Sequence, residues 1–162
     1  MTSQQMTICL WFDDQAEEAV KFYTSIFKNS KIGAISRYGN EGFEFHRRPE
    51  GSVMTVNFKL NDMNFIALNG GPVFEFNESM SIMVSCKDQQ EIDYYWTELT
   101  KGGKESQCGW LKDKFGVSWQ IVPANMDIIL SDTDTERVQR VTHEVFKMRK
   151  LDMNKLMEVY NA

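Results

Sequence analysis

A chain of 162 residues, 42% hydrophobic and 25% charged, can bury a core without metal or disulfide staples and shows none of the biases of disordered, collagen-like or membrane proteins. Its formal net charge of −5 repels nucleic acid and anionic membrane surfaces, so neither is an expected partner. Cys9, Cys86 and Cys108 form an odd set without C-x-x-C spacing. With no signal-peptide pattern and no bilayer-length apolar run, they point to a reducing, cytoplasmic setting.

Met6 to Phe12 is a β-rich apolar run that Asp13-Asp14 breaks, after which Ala16, Val20, Tyr23, Ile26 and Phe27 recur at helical spacing. Asp14 and Glu17 have the D-x-x-E spacing of a capping box at the start of that helix. Lys31 to Tyr38, Val53 to Leu60 and Asn64 to Leu68 read as strands, which completes one βαβββ unit over residues 5–70. Between the first two of these strands, His46-Arg47-Arg48, flanked by Glu44 and Glu50, reads as a solvated loop that could still meet an anionic substrate.

Gly70-Gly71-Pro72 punctuates the chain. A strand over Met80 to Cys86, a helix over Asp88 to Leu99 closed by Gly102-Gly103, and strands at Lys104 to Cys108, Trp110 to Lys112 and Val117 to Val122 then form a second unit over residues 78–124. A shift of 74 lays Thr7 on Ser81, Ile8 on Ile82 and Leu10 on Val84. It also lays Asp14, Gln15 and Glu17 on Asp88, Gln89 and Glu91, so an internal duplication with shared capping is expected. Residues 125–162 form a helical tail. Asp127 to Leu130 is a short apolar piece and Ser131 to Asp134 offer caps. Val138, Val141, Val145 and Met148 share one face, and Leu151, Leu156, Val159 and Tyr160 give a second. The whole reads as one α+β domain of two βαβββ modules followed by C-terminal helices.

The second half, with its Gly-Gly, its aromatic near Trp110 and its Asp113-Lys114-Phe115-Gly116-Val117-Ser118-Trp119 run, resembles the PhnB-like branch of the glyoxalase/bleomycin-resistance/dioxygenase, or vicinal oxygen chelate, superfamily. The tail, from its Val-Gln-Arg-Val helix through Lys147-Met148-Arg149-Lys150-Leu151-Asp152 to Leu156–Tyr160, resembles that branch's C-terminal signature. The resemblance implies the two-module fold, a concave ligand cleft and a homodimer. Members often carry the label 3-demethylubiquinone-9 3-methyltransferase. The residues do not support methyl transfer, because no G-x-G-x-x-G follows a strand and opens a helix.

Metal-dependent members of the superfamily place a ligand on the first and last strand of each module. By pattern those positions fall at or beside Thr7, Ala67, Ser81 and Gln120, of which Gln120 alone offers a plausible ligand atom. A tightly held Zn²⁺ or Fe²⁺ needs imidazole, thiolate or carboxylate donors, so neither a metal nor another cofactor is expected. His46 and His143, the two histidines, have no metal-binding spacing.

Strand alternation sets Ile8, Leu10 and Phe12, and Ile82, Val84 and Cys86, towards the helices. Thr7, Cys9, Trp11, Ser81 and Met83 then line the cleft, joined by Phe65, Ala67, Ser118 and Gln120, a mostly apolar wall with a few hydrogen-bonding points. The expected activity is metal-free binding of a small molecule. The alternative is an enzyme of the same fold using His46, Gln120 or Cys9. A third reading is an interaction protein whose cleft is collapsed and whose tail helices meet another chain.

Overall fold

A computed structural model describes residues 6–162, and the chain divides into two compact units, one ending at Phe76 and one running from Asn77 to Ala162. In the first, β1 (Ile8–Phe12), α1 (Ala16–Ile26), β2 (Ser30–Arg37), α2 (Phe43–His46), β3 (Val53–Leu60) and β4 (Met63–Asn69) follow in order. The sheet order is β1-β4-β3-β2, with β1 parallel to β4 and the other pairs antiparallel. A parallel pair needs a crossover, and α1 begins it by packing Ala16, Ala19, Val20, Tyr23 and Ile26 into the core. Tyr23 stacks on Phe58 and Phe58 on Phe65, with ring centroids 6.1 and 5.0 Å apart.

The second unit repeats the wiring with β5 (Ile82–Cys86), α3 (Gln89–Thr100), β6 (Lys104–Glu105), β7 (Trp110–Lys112) and β8 (Ser118–Pro123), in sheet order β5-β8-β7-β6. Here β5 and β8 are the parallel pair. Two βαβββ modules in an α+β chain are therefore what the sequence folds into. Two details differ from expectation. β6 covers only Lys104–Glu105, because Cys108 takes a positive φ of 59° and the amides of Cys108 and Gly109 donate to the carbonyls of Met148 and Arg149 at 2.8 and 2.7 Å. The basic segment expected as a solvated loop begins inside a helix, since His46 is the last residue of α2.

The shared capping holds in one module and not in the other. Asp88 accepts from the Glu91 amide at 2.9 Å, and Glu91 Oε2 accepts from the Lys87 amide at 3.0 Å. α1 has no such box: its N-cap is Gln15, without a side-chain bond, and the Ala16 amide donates to Asn69 Oδ1 at 2.8 Å. The cap of α1 thus comes from the end of β4, 53 residues away. Glu17 instead pairs with Lys21 at 2.9 Å.

In the tail, α4 (Met126–Leu130), α5 (Thr135–Lys147) and α6 (Met153–Asn161) gather around a cluster of Val122, Ile129, Val141, Leu151 and Leu156. Because Val122 lies on β8, the tail packs on the second unit's own sheet. No helix among the described residues is long and apolar enough to cross a membrane. Asp134 and Asp152 cap α5 and α6 by accepting from the Arg137 and Lys155 amides, each at 3.1 Å.

Asp132 ties the tail's two long helices together. Its carboxylate accepts from the Asp134 amide at 2.9 Å, from the Tyr160 hydroxyl at 2.5 Å and from Arg137 Nη1 at 3.2 Å. The Asp134 amide first, and the Tyr160 hydroxyl next, push the carboxyl from its ordinary 3.8 to about 2. A depressed carboxyl pKa stabilises the fold above the unfolded value, and that contribution fades as pH falls from about 4 towards 2, where the unfolded chain takes up the proton first. In urea denaturation across that acid range, Asp132→Asn is expected to flatten this limb relative to the parent chain. Superimposable limbs would count against the tie.

Candidate functional site

The open face of the second sheet carries two rows of side chains set by strand register. Met83 pairs with Gln120 and Gln120 with Trp110, while Ser118 pairs with Lys112 and Lys112 with Lys104. Cross-strand partners point to the same face, and the alternate residues Ile82, Val84, Leu111, Trp119 and Ile121 are buried on the other. The Gln120 amide donates from Nε2 to Ser81 Oγ at 2.8 Å. Ser118 is 2% exposed, and its hydroxyl has no hydrogen-bond partner among the described residues. Ser118 lines a cavity of about 580 Å³ together with Glu78, Lys104, Glu105, Cys108, Trp110 and Lys112. Lys112 Nζ lies 2.7 Å from Glu78 Oε1, and this bond holds the Glu78 carboxyl below its ordinary value. Of the residues that the sequence pattern nominates, Ser81, Met83, Ser118 and Gln120 therefore share one surface. Lys104, Lys112 and Glu78 were not foreseen; alternation along β7 implies that Trp110 and Lys112 share a face, but nothing along the chain announces their neighbours.

In the first unit Thr7 lines a cavity of about 360 Å³ with Lys31, Gly33, Asn57, Lys59 and Ile66. Register sets Phe65 and Ala67, expected in the cleft wall, in the helix-facing row: they pair with Ile8 and Leu10 and are 2% and 0% exposed, although Phe65 also borders the Thr7 cavity. The neighbours of Cys9 and Trp11 across the pair are Ile66 and Leu68 instead. Trp11 is half-buried, donates from Nε1 to the Gly71 carbonyl at 2.8 Å, and meets the Phe74 ring edge-on at 4.9 Å. The segment after β4 thus occupies the indole. Cys9 is exposed, and partial burial of its thiol raises the pKa, the wrong direction for a nucleophile.

His46 ends α2 and does not line the first unit's cavity. Its Nδ1 accepts from the Arg48 amide at 3.0 Å, and its ring lies 4.5 Å from that of Tyr38. Arg48 is not a solvated loop cation: it donates to the Asp13 carbonyl at 2.6 Å and to Asp13 Oδ1 at 2.8 Å, fixing the α2 segment to the end of β1. His143 is exposed on α5.

The four positions that would hold a metal do not fit one. Thr7 and Ser81 offer hydroxyls, Ala67 and its neighbours Ile66 and Leu68 offer hydrocarbon, and Gln120, whose Nε2 donates to Ser81, adds one neutral amide oxygen, which does not replace three imidazole, thiolate or carboxylate donors. No group of three His, Cys, Asp or Glu side chains that could hold a metal ion occurs among the described residues.

Three comparisons place this geometry. The 3-demethylubiquinone-9 3-methyltransferase family model matches residues 4–122. The PhnB protein of Bacillus cereus is 36% identical, with 74% of this chain and 99% of that one covered and a TM-score of 0.64. Protein PA1353 from Pseudomonas aeruginosa is 19% identical over 75% and 98% of the two chains, with a TM-score of 0.59. FosX, a fosfomycin resistance protein from Listeria monocytogenes, is 15% identical over 82% and 100%, with a TM-score of 0.56. A second FosX structure, a complex with Mn(II) and sulfate, is 17% identical over 75% and 92%, with a TM-score of 0.52. The likeness to PA1353 and FosX is one of fold alone. No curated protein matches the chain significantly. By its matched profile and its 36% identity to PhnB, the chain belongs to the PhnB-like 3-demethylubiquinone-9 3-methyltransferase family, and its two-module fold is the vicinal oxygen chelate fold.

Proposed function

We propose that the chain binds a small molecule without a metal, on the open face of its second module. The observation that carries this reading is a cavity of about 580 Å³ beside the Gln120–Ser81 pair, lined by Ser118, whose buried hydroxyl is unpaired among the described residues. A buried hydroxyl left without a partner costs about 1–3 kcal/mol, which a ligand acceptor would recover. The cavity volume lies within the range of roughly 300–1,000 Å³ used by small-molecule sites.

Binding is favoured over turnover because burial pushes the Cys9 thiol pKa up, the wrong direction for a nucleophile. The family label of methyl transfer finds no support in a chain without a G-x-G-x-x-G strand-to-helix turn. A homodimer in the cytoplasm belongs to the same reading, supported by the dimers the family resemblance implies and by three free cysteines.

Thermal shift of the purified chain against a panel of small aromatic and anionic metabolites tests the binding, with metal analysis on the same sample. A ligand at 100 times its Kd is expected to add about 2.7 kcal/mol to stability. Metal content is expected well below stoichiometry. Near-stoichiometric Mn²⁺, Zn²⁺ or Fe²⁺ would sink the metal-free part, and a panel with no shift would sink the binding part. Size-exclusion chromatography reads the dimer, with a monomer peak counting against it.

A further inference from the structure

We propose that the ligand of this cavity is a small anion carried on a flat apolar body, an aromatic carboxylate being the simplest case. The assignment rests on the binding reading above and adds the ligand's charge and shape.

Lys104 and Lys112 are register partners in an antiparallel pair, so their ammonium groups leave the same face of the sheet side by side. Like charges opposite one another weaken a sheet, and a fold keeps such a pair where something else compensates it. Glu78 compensates one of them, through its 2.7 Å contact with Lys112. Lys104 makes no ion pair among the described residues.

The other carboxylate at the cavity, Glu105, is committed elsewhere. It pairs in register with the buried Leu111, accepts from Trp96 Nε1 at 2.9 Å, and lies 3.9 Å from Arg149 Nη1. With Glu78 on Lys112 and Glu105 turned to Trp96 and Arg149, Lys104 is the cavity cation without a carboxylate partner among the described residues, in a chain whose net charge is −5. Next along the same row stands Ser118, whose orphaned hydroxyl can donate to an anion. A carboxylate seated here takes a charge-assisted bond from Lys104 and a hydroxyl bond from Ser118.

The neighbouring row supplies the flat surface. Trp110 lines the cavity and pairs with Gln120, whose amide is already held by Ser81. An aromatic ring against the Trp110 indole, with its carboxylate directed at Lys104 and Ser118, satisfies both rows together.

Calorimetric titration of the full chain with benzoate, benzamide and benzylamine tests the assignment. These probes share size and ring and differ in charge. Benzoate is expected to bind roughly tenfold more tightly than benzamide, the equivalent of one charge-assisted bond, and to weaken as salt is raised. Lys104→Gln should bring benzoate down to the benzamide level and leave benzamide unchanged, while Lys101→Gln, a control at the exposed C-cap of α3 outside the cavity lining, should alter neither. Lys104→Glu should reverse the preference towards benzylamine, and because Lys104 is exposed both variants are expected to fold. Equal binding of benzoate and benzamide, or a preference that survives Lys104→Glu, overturns the anion assignment while leaving the cavity a binding site. Failure of all three probes to bind overturns both.

Discussion

Asp113→Ala is expected to remove about 3–5 kcal/mol of stability, more than any surface change in the chain. The Asp113 side chain is 3% exposed and serves the turn that follows it. Oδ1 accepts from the Phe115 amide at 2.9 Å and the Val117 amide at 3.1 Å, and Oδ2 accepts from Trp119 Nε1 at 2.8 Å. Alanine leaves these donors without an acceptor, each orphan costing about 1–3 kcal/mol where water does not reach it. Asn keeps one acceptor and turns an N–H towards the indole N–H, so Asp113→Asn is expected to lose less, about 1–3 kcal/mol. Urea denaturation of the variants reads both, and a loss below about 1 kcal/mol for the alanine variant would refute the argument. The consequence reaches the cavity, because this turn joins β7 to β8 and fixes Lys112 opposite Ser118. The Asp113 to Trp119 run that marks the family in sequence is, in the fold, the device that holds that register.

Gly103→Ala is the second large effect, at about 3 kcal/mol, through overpacking against atoms that cannot give way. A Cβ at Gly103 would stand 2.1 Å from the Lys112 carbonyl oxygen, 2.8 Å from the Asp113 carbonyl carbon and 2.9 Å from its Cα. All three are backbone. The preceding Gly102 has a different reason for its identity, a φ of +74° just past the end of α3, and Gly102→Ala is accordingly the milder change. Any shift that makes room for the methyl group separates β6 from β7, so thermal unfolding and benzoate affinity should fall together. An alanine variant with parental stability would show that the strands are not in such close contact.

Much of the fold was legible because both modules advertise period-2 strands beside period-3.6 helices. The alternation of Ile82, Val84 and Cys86 with Ser81, Met83 and Ser85 separates a buried row from an open one without ambiguity. β4 offered no such contrast, since Phe65 and Ala67 alternate with Ile66 and Leu68 and both rows are apolar. Alternation says that two rows exist and not which one meets the helix; the register with β1 decides that. The α1 cap failed for a related reason. Asp14 has the right local spacing, yet Asn69 reaches the first helical amide from the far end of the module, a contact no local pattern encodes. The same holds for Lys104 and Lys112, whose meeting depends on the β6–β7 pairing rather than on either short strand.

The family profile stops at residue 122, but the rim of the cavity does not. The amides of Cys108 and Gly109 are met by the carbonyls of Met148 and Arg149, main chain to main chain. Such bonds are blind to side-chain identity, so these two contacts survive point substitution at 148 and 149, even though the side chains there serve the tail cluster and Glu105. What those positions resist is insertion or deletion between α5 and α6, which would carry the two carbonyls out of reach. Spacing, not spelling, is therefore what this stretch of the tail must keep for the rim to hold.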